Sequence, residues 1–311
     1  MNHYSFQTKF GCDDFDEMKL SWVAHGWTRD VYYAQIKGDK QCLAIKKMKN
    51  GPSSWGQQNV RLEAVTLSLL QNAPNIAQLE GVCQDNAEIA LEWLPVDLNH
   101  LPHNELNENQ LMLIALDMAE GLAQLHAIPH GPFLHNDLHL GQWMLNSDGI
   151  AKLGDLNGGW FLPRNNQGEL CSSIKKRKPQ MLNPWRSPEE YLDLPLDEKS
   201  DIFNLGLNIW ALLVGGAKTP YPPNQLAGKT VAEFVSGGGH PLLTNEEKAK
   251  MWPVQVRDIL LQCWAKAPAA RPTAAEVGAV FQSIVQEQGW RDTDRYRPPP
   301  AKAMANNGPG Q

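Results

Sequence analysis

The chain has no apolar run long enough to span a membrane. Its longest candidate, Leu205 to Val214, is interrupted by Gly206 and Asn208. The opening Met1-Asn2-His3-Tyr4 has no basic stretch followed by an apolar one, so no secretory signal is visible. Cysteine is scarce: five in 311 residues (Cys12, Cys42, Cys83, Cys171 and Cys263), with no CxxC or His/Cys ligand spacing. An odd, scattered set excludes a zinc site or a disulfide framework. It reads as reduced thiols in an intracellular, cytoplasmic protein. Cys42 and Cys83 lie in apolar segments and read as small core residues. Excess charge is lacking too. A net charge of −6 gives no reason to expect nucleic acid or an anionic membrane as partner. No internal repeat is visible.

What is present is an ordinary globular composition, 42% hydrophobic and 20% charged, long enough for one large or two medium domains. Residues 1–19 are polar and mixed and read as a loosely packed leader. Residues 20–93 read as short strands with one helix. Trp27 to Ile36 and Cys42 to Met48 are rich in strand formers, joined by Lys37-Gly38-Asp39-Lys40 as a hairpin connection. Gln57 to Gln71 reads as a helix, and Val82 to Trp93 holds two further strand-like runs. From residue 94 to 287 the character is helical. Asn107 and Gln110 have the spacing of a capping box. Leu111, Ala115, Met118, Leu122 and Leu125 follow as an apolar stripe. Asp201 to Val214 is apolar nearly all round, as suits a buried helix stopped by Gly215-Gly216. Residues 288–311, with Pro298-Pro299-Pro300 and Asn306-Asn307-Gly308-Pro309-Gly310, read as a disordered tail. A small β-rich lobe before a larger helical one implies a cleft between them.

The stretch His135-Asn136-Asp137-Leu138-His139-Leu140-Gly141-Gln142 is followed by Asp155 in Leu153-Gly154-Asp155-Leu156-Asn157-Gly158. Two aspartates on neighbouring loops are what ATP-dependent phosphoryl transfer asks of a protein: one orients a hydroxyl, the other holds a metal ion. Upstream, Ala44 and Lys46 alternate onto one side of a strand, where a small residue admits a flat ring and a lysine reaches phosphates. Glu63 interrupts the apolar face Val60, Ala64, Leu67 and Leu70. A buried carboxylate needs a cation, and Lys46 is the candidate. A second stripe, Leu62, Val65 and Leu69, would leave Glu63 exposed if it faced the core instead.

Over residues 20 to 285 these motifs, in this order, resemble the protein kinase family. Ala44-Ile45-Lys46 resembles its Ala-x-Lys strand, and Glu63 its helix glutamate. Leu91-Glu92-Trp93-Leu94 resembles its hinge, with Leu91 as gatekeeper. Trp185-Arg186-Ser187-Pro188-Glu189, Asp201-Ile202-Phe203-Asn204-Leu205-Gly206 and Cys263-Trp264 through Arg271-Pro272-Thr273 resemble its C-terminal motifs. The resemblance implies a bilobal α+β fold, ATP and Mg²⁺ as cofactors, and a protein substrate. It further implies that Asp137 orients the acceptor hydroxyl and Asp155, with Gln142, ligates Mg²⁺. Lys46 would bind phosphates, and Glu63 would hold it. Val31 and Ala44 would roof the adenine, Met144 would floor it, and the backbone of Glu92 and Leu94 would bond it. Glu189 and Arg271 would form a buried ion pair.

The departures cluster at the phosphates. Where the family has G-x-G-x-x-G-x-V, this chain has Ala24-His25-Gly26-Trp27-Thr28-Arg29-Asp30-Val31, so only Gly26 remains. Arg29 either replaces the lost amide contacts or obstructs the site. His139 stands where a lysine is expected, Gln142 where an asparagine is, Asn136 where an arginine is, and Leu156-Asn157 where Phe-Gly is. A neutral imidazole stabilises phosphate charge less than an ammonium does. Leu156 to Arg186 contains no tyrosine or threonine. Its Ser172-Ser173 and Lys175-Lys176-Arg177-Lys178 read as a solvated loop or as a dock for an acidic partner. Three readings stand: a protein kinase favouring Ser/Thr over Tyr, a pseudokinase that binds without efficient transfer, and a small-molecule phosphotransferase suggested by His139.

Overall fold

The computed structural model describes residues 6, 8–36, 41–129, 131–171, 184–216, 219–243 and 252–299. The expected hairpin turn at residues 37–40 and the serine-lysine run at 172–178 lie outside the described residues, as does the tail from 300.

A short helix, α1 (Cys12–Glu17), precedes a five-stranded antiparallel sheet. Its strands are β1 (Leu20–His25), β2 (Arg29–Gln35), β3 (Cys42–Met48), β4 (Leu79–Cys83) and β5 (Glu88–Glu92), in the order β1-β2-β3-β5-β4. Alternation along β3 sets the function of each face. Leu43 and Ile45 are fully buried on one side with Phe15 of α1, Ala34 and Ala90. Ala44 and Lys46 are left for the other side, toward the helical lobe.

Of the leader expected over residues 1–19, the stretch from Lys9 to Phe15 packs against the sheet. Lys9 N–H donates to Glu80 O at 2.9 Å, and Val82 N–H donates to Phe10 O at 3.2 Å. Phe15 is buried, contributing about 1.5–3 kcal/mol by area. At Gly81 a Cβ would lie 2.8 Å from Phe10 Cβ and 2.9 Å from Phe15 Cε1, so only glycine admits this contact. Cys12 and Cys83 close it as a disulfide, with Cα atoms 4.6 Å apart. The reading of five reduced thiols therefore fails at these two, and Cys83 is a bonded residue rather than a free core thiol. The argument from free thiols to a cytoplasmic setting loses its basis with them. Cys171 and Cys263 are free thiols, and Cys42 Sγ lies 3.0 Å from the Tyr33 hydroxyl. The two partners stand 71 residues apart with no spacing pattern to betray them.

Helix α2 (Ser54–Leu69) begins three residues before the expected Gln57, because Ser53 Oγ caps it by accepting from Gly56 N–H at 3.1 Å. Val60, Glu63, Ala64 and Leu67 face the core, while Leu69 is exposed. The stripe that contains Glu63 is thus the inward one.

The helical lobe opens with β6 (Val96–Asp97) and α3 (Glu108–His126), whose start is the expected capping box between Asn107 and Gln110. Next come β7 (Phe133–Leu134), β8 (Trp143–Leu145), β9 (Ala151–Leu153) and β10 (Trp160–Phe161), pairing as β6-β8-β9 and β7-β10. The remaining helices are α4 (Pro188–Tyr191), α5 (Glu198–Leu213), α6 (Pro223–Leu226), α7 (Val231–Ser236), α8 (Val254–Cys263) and α9 (Ala274–Gln288). From Ser200 to Leu213, α5 is buried throughout. Its Gly206 lets α8 approach: a Cβ there would meet Cys263 Cβ at 2.7 Å.

Of the tail expected to be disordered at 288–311, residues 288–299 are in place. Arg295 grips Asp117 of α3 with two hydrogen bonds, 2.6 and 3.1 Å long, and both side chains are buried. Burial pushes the Asp117 carboxyl up to about 6, against the opposing pull of Arg295. One buried ion pair, invisible to composition, anchors an otherwise polar segment. No helix among the described residues is long and apolar enough to cross a membrane.

Candidate active site

Between the sheet and the helical lobe lies a cleft of about 1520 Å³. Every residue singled out for nucleotide, metal or catalysis lines it, except Glu63, which sits behind its wall. Val31, Ala44 and Lys46 come from β2 and β3, Leu91 and Glu92 from β5, and Leu94 from the segment that joins the lobes. Gly26, Asp137, His139, Gln142, Met144 and Asp155 complete the set.

At the base of the cleft four ionisable groups meet. Lys46 Nζ lies 2.8 Å from Asp155 Oδ1 and 3.2 Å from Glu63 Oε1. Burial disfavours the ammonium, but Asp155 and Glu63 together raise its pKa, so Lys46 is charged. Burial likewise works to raise the Asp155 carboxyl. The Lys46 ammonium, with Arg29 and His135 behind it, overcomes that and holds it at about 2. Arg29 Nη1 takes the other oxygen of Glu63. Glu63, fully buried, thus serves two cations.

The catalytic loop is fixed from below. The Asp201 carboxylate, near the start of α5, accepts from His135 N–H at 2.7 Å and Asn136 N–H at 3.0 Å. Asn136 adopts φ 65° and Asp155 φ 57°, sparsely populated backbone for non-glycine residues. His135 Nδ1 accepts from Asp137 N–H at 3.3 Å, so its Nε2 carries the proton and faces Gly154 O at 3.0 Å. One buried imidazole therefore ties the Asp137 loop to the Asp155 turn. Asn157 Nδ2 adds a 2.7 Å bond to Asp155 Oδ1, which keeps the turn closed where the family pattern has glycine.

Asp137 is only half-buried, and Arg186 Nη2 lies 3.0 Å from its Oδ1. Arg186 also donates to Asn136 O at 2.6 Å and reaches Glu190 at 3.2 Å. His139 Nδ1 accepts from Gly141 N–H at 3.1 Å. Burial lowers the His139 pKa despite the nearby Asp137 anion, so the ring is neutral at pH 7. Arg186, Asn157 and the role of Asp201 escaped the sequence reading. For Arg186 and Asp201 the signal is tertiary, because each acts on a loop far away in the chain, whereas Asn157 reaches Asp155 two residues away within one turn.

At the joining segment Glu92 N–H is donated to Gln78 O at 3.0 Å, and its side chain turns to Lys152 at 2.6 Å. Among the described residues nothing accepts from Leu94 N–H. Gly26 N–H is committed to Arg29 O at 2.8 Å, closing the β1–β2 turn. In the helical lobe, Glu189 and Arg271 form the expected buried pair, with bonds of 2.6 and 2.8 Å, and Ser200 Oγ adds a third at 2.8 Å.

Residues 18–281 match the family described as protein tyrosine and serine/threonine kinase. The chain belongs to that family. Among its relatives, serine/threonine-protein kinase 12 of Arabidopsis thaliana is 28% identical over 82% of this chain and 54% of its own length. Serine/threonine-protein kinase 1 of the same plant is 27% identical over 83% of this chain and 29% of its own. Mitogen-activated protein kinase kinase kinase 7 of Drosophila melanogaster is 26% identical over 88% and 38%. The chain thus spans about half or less of the length of these relatives. Its fold is the kinase one, a sheet-built N-terminal lobe over a helical C-terminal lobe.

The side chains of this kinase domain fit a magnesium nucleotide. Among the described residues no cluster of three His, Cys, Asp or Glu could cage a metal. Mg²⁺ takes one or two carboxylates and completes its shell with phosphate and water. Asp155, kept anionic, and Gln142 are the residues that would hold it. Buried N–H groups of Arg29 and the free Leu94 N–H await acceptors.

Proposed function

We propose that this chain is an ATP-dependent protein kinase domain that transfers the γ-phosphate to a protein hydroxyl, with serine and threonine favoured over tyrosine. The observation that carries the reading is Lys46, held between Glu63 and Asp155 in the cleft that Asp137 also lines. Lys46 meets phosphate as a point charge, and Glu63 fixes its position. Asp137 orients the acceptor hydroxyl and takes its proton late, since the transition state is loose and asks for positioning first. Arg186 brings a cation beside Asp137 where neutral His139 brings none. Bound Mg²⁺ supplies charge neutralisation at the phosphates. The named relatives, serine/threonine kinases by title, support the preference for Ser/Thr. The test is transfer from labelled ATP to matched peptides differing only in a Ser, Thr or Tyr acceptor. Labelling of the Ser and Thr peptides well above Tyr is expected; Tyr alone labelled would refute the preference.

A second reading has one specific observation in its favour. The Arg186–Asp137 contact occupies the carboxylate that should receive the hydroxyl. A pseudokinase would bind nucleotide here and transfer nothing. ATP-dependent stabilisation without transfer, unchanged by Asp137→Ala, selects it.

A further inference from the structure

Arg29 opens β2 at the place where the kinase loop carries its third glycine, and its side chain is 5% exposed. It spends Nη1 on Glu63, whose other oxygen Lys46 already serves. Its Nε and Nη2 have no acceptor among the described residues. Leaving charged donors buried and unmatched is costly. An arginine kept only to neutralise Glu63 would not need to line the cleft, yet Arg29 does so together with Lys46 and Asp155.

The loop above cannot supply what a glycine-rich loop supplies. Gly26 N–H is used within the turn, and Ala24, Trp27 and Thr28 carry Cβ atoms. A guanidinium offers a planar fork that matches phosphate oxygens. Resting on the ATP reading above, we propose that Arg29 is a phosphate ligand of the nucleotide site. It replaces the missing loop amides, and Glu63 acts as the buttress that aims it. Two cations face two carboxylates at the cleft base, so the cluster is neutral as it stands. A polyphosphate would add negative charge, and Mg²⁺, which Asp155 would hold, would offset part of it. On this proposal the nucleoside would meet Val31, Ala44, Leu94 and Met144 rather than Arg29, so its affinity should not depend on the guanidinium.

The experiment is calorimetric titration of the full chain with adenosine, MgADP and MgATP, comparing the unsubstituted protein with Arg29→Gln and Arg29→Lys. Arg29→Gln is expected to weaken MgADP and MgATP by about tenfold or more, the worth of a charge-assisted hydrogen bond, and adenosine by less than twofold. Arg29→Lys keeps the charge without the fork and should fall between. Equal affinities for MgADP and MgATP in the unsubstituted protein and Arg29→Gln would overturn the proposal and leave the ATP reading standing. An equal loss for adenosine, MgADP and MgATP would also overturn it, marking a structural clamp. If the unsubstituted protein binds no nucleotide, both fall. Should Arg29→Gln fail to fold, Arg29→Lys decides: weaker MgADP with unchanged adenosine supports the phosphate contact, and unchanged MgADP refutes it.

Discussion

Glu63 holds two cations from a fully buried position, and this makes its removal a sharp test. Glu63→Leu strips Arg29 of the one side-chain acceptor it has among the described residues, while Lys46 keeps Asp155 at 2.8 Å. Breaking a buried pair by removing one partner costs about 3–5 kcal/mol, chiefly from the charge left behind. Arg29→Met leaves Glu63 with Lys46 at 3.2 Å and one orphaned oxygen, a loss of about 1–3 kcal/mol. Independent effects would sum to about 4–8 kcal/mol. The double variant removes the stranded guanidinium and the stranded oxygen together. It should therefore be more stable than that sum by about 2 kcal/mol, within the range seen for contacting residues. Urea unfolding followed by tryptophan fluorescence, with slopes compared across the four proteins, reads the coupling. Additivity within about 0.5 kcal/mol would refute the buttressed pair.

Arg186→Ala is expected to lower transfer about a hundredfold, since it misplaces Asp137, while leaving MgATP affinity unchanged; a rise in transfer would identify Arg186 as an inhibitory contact instead. Cys12 and Cys83 stand 71 residues apart, so loop entropy gives their bond about 4 kcal/mol, lost in reductant and in the Cys12→Ser/Cys83→Ser variant alike. A thiol count on the unfolded, unreduced chain should find three of five cysteines free, and five would contradict the pairing. His139 should titrate below the ordinary histidine value by NMR, and lower still in Asp137→Asn, because burial opposes its charge and Asp137 favours it. Its neutral form then supports the fold above the unfolded pKa of about 6.5, and that support is lost as pH falls through the depressed value. Titration at or above 6.5 would contradict this.

The parts of the site that were legible in the sequence are those in which one residue type answers a local pattern. Lys46 beside Ala44 follows from strand alternation, and Glu63 stands out because it breaks an apolar face. The capping box at Asn107 was readable from spacing, and so was the buried α5. What stayed hidden depends on partners brought together by the fold. Arg186 looks like part of a motif and turns out to grip Asp137. Cys12 and Cys83 look like bystanders and are bonded. Arg295 lies in a segment whose composition spells disorder, and one carboxylate on α3 holds it. Arg29 was ambiguous for the same reason: its acceptors, present and missing, belong to other elements.

On the proposed function, Asp137 and Asp155 work in one cleft to move phosphate from ATP to a protein hydroxyl. Transfer of labelled phosphate to a generic protein substrate with Mg²⁺, measured for the unsubstituted chain, Asp137→Ala and Asp155→Ala, tests it most directly. Clear transfer that falls by about 10²-fold or more in both variants is expected. Transfer that survives Asp137→Ala, or an unsubstituted chain that binds nucleotide and transfers nothing, would contradict it.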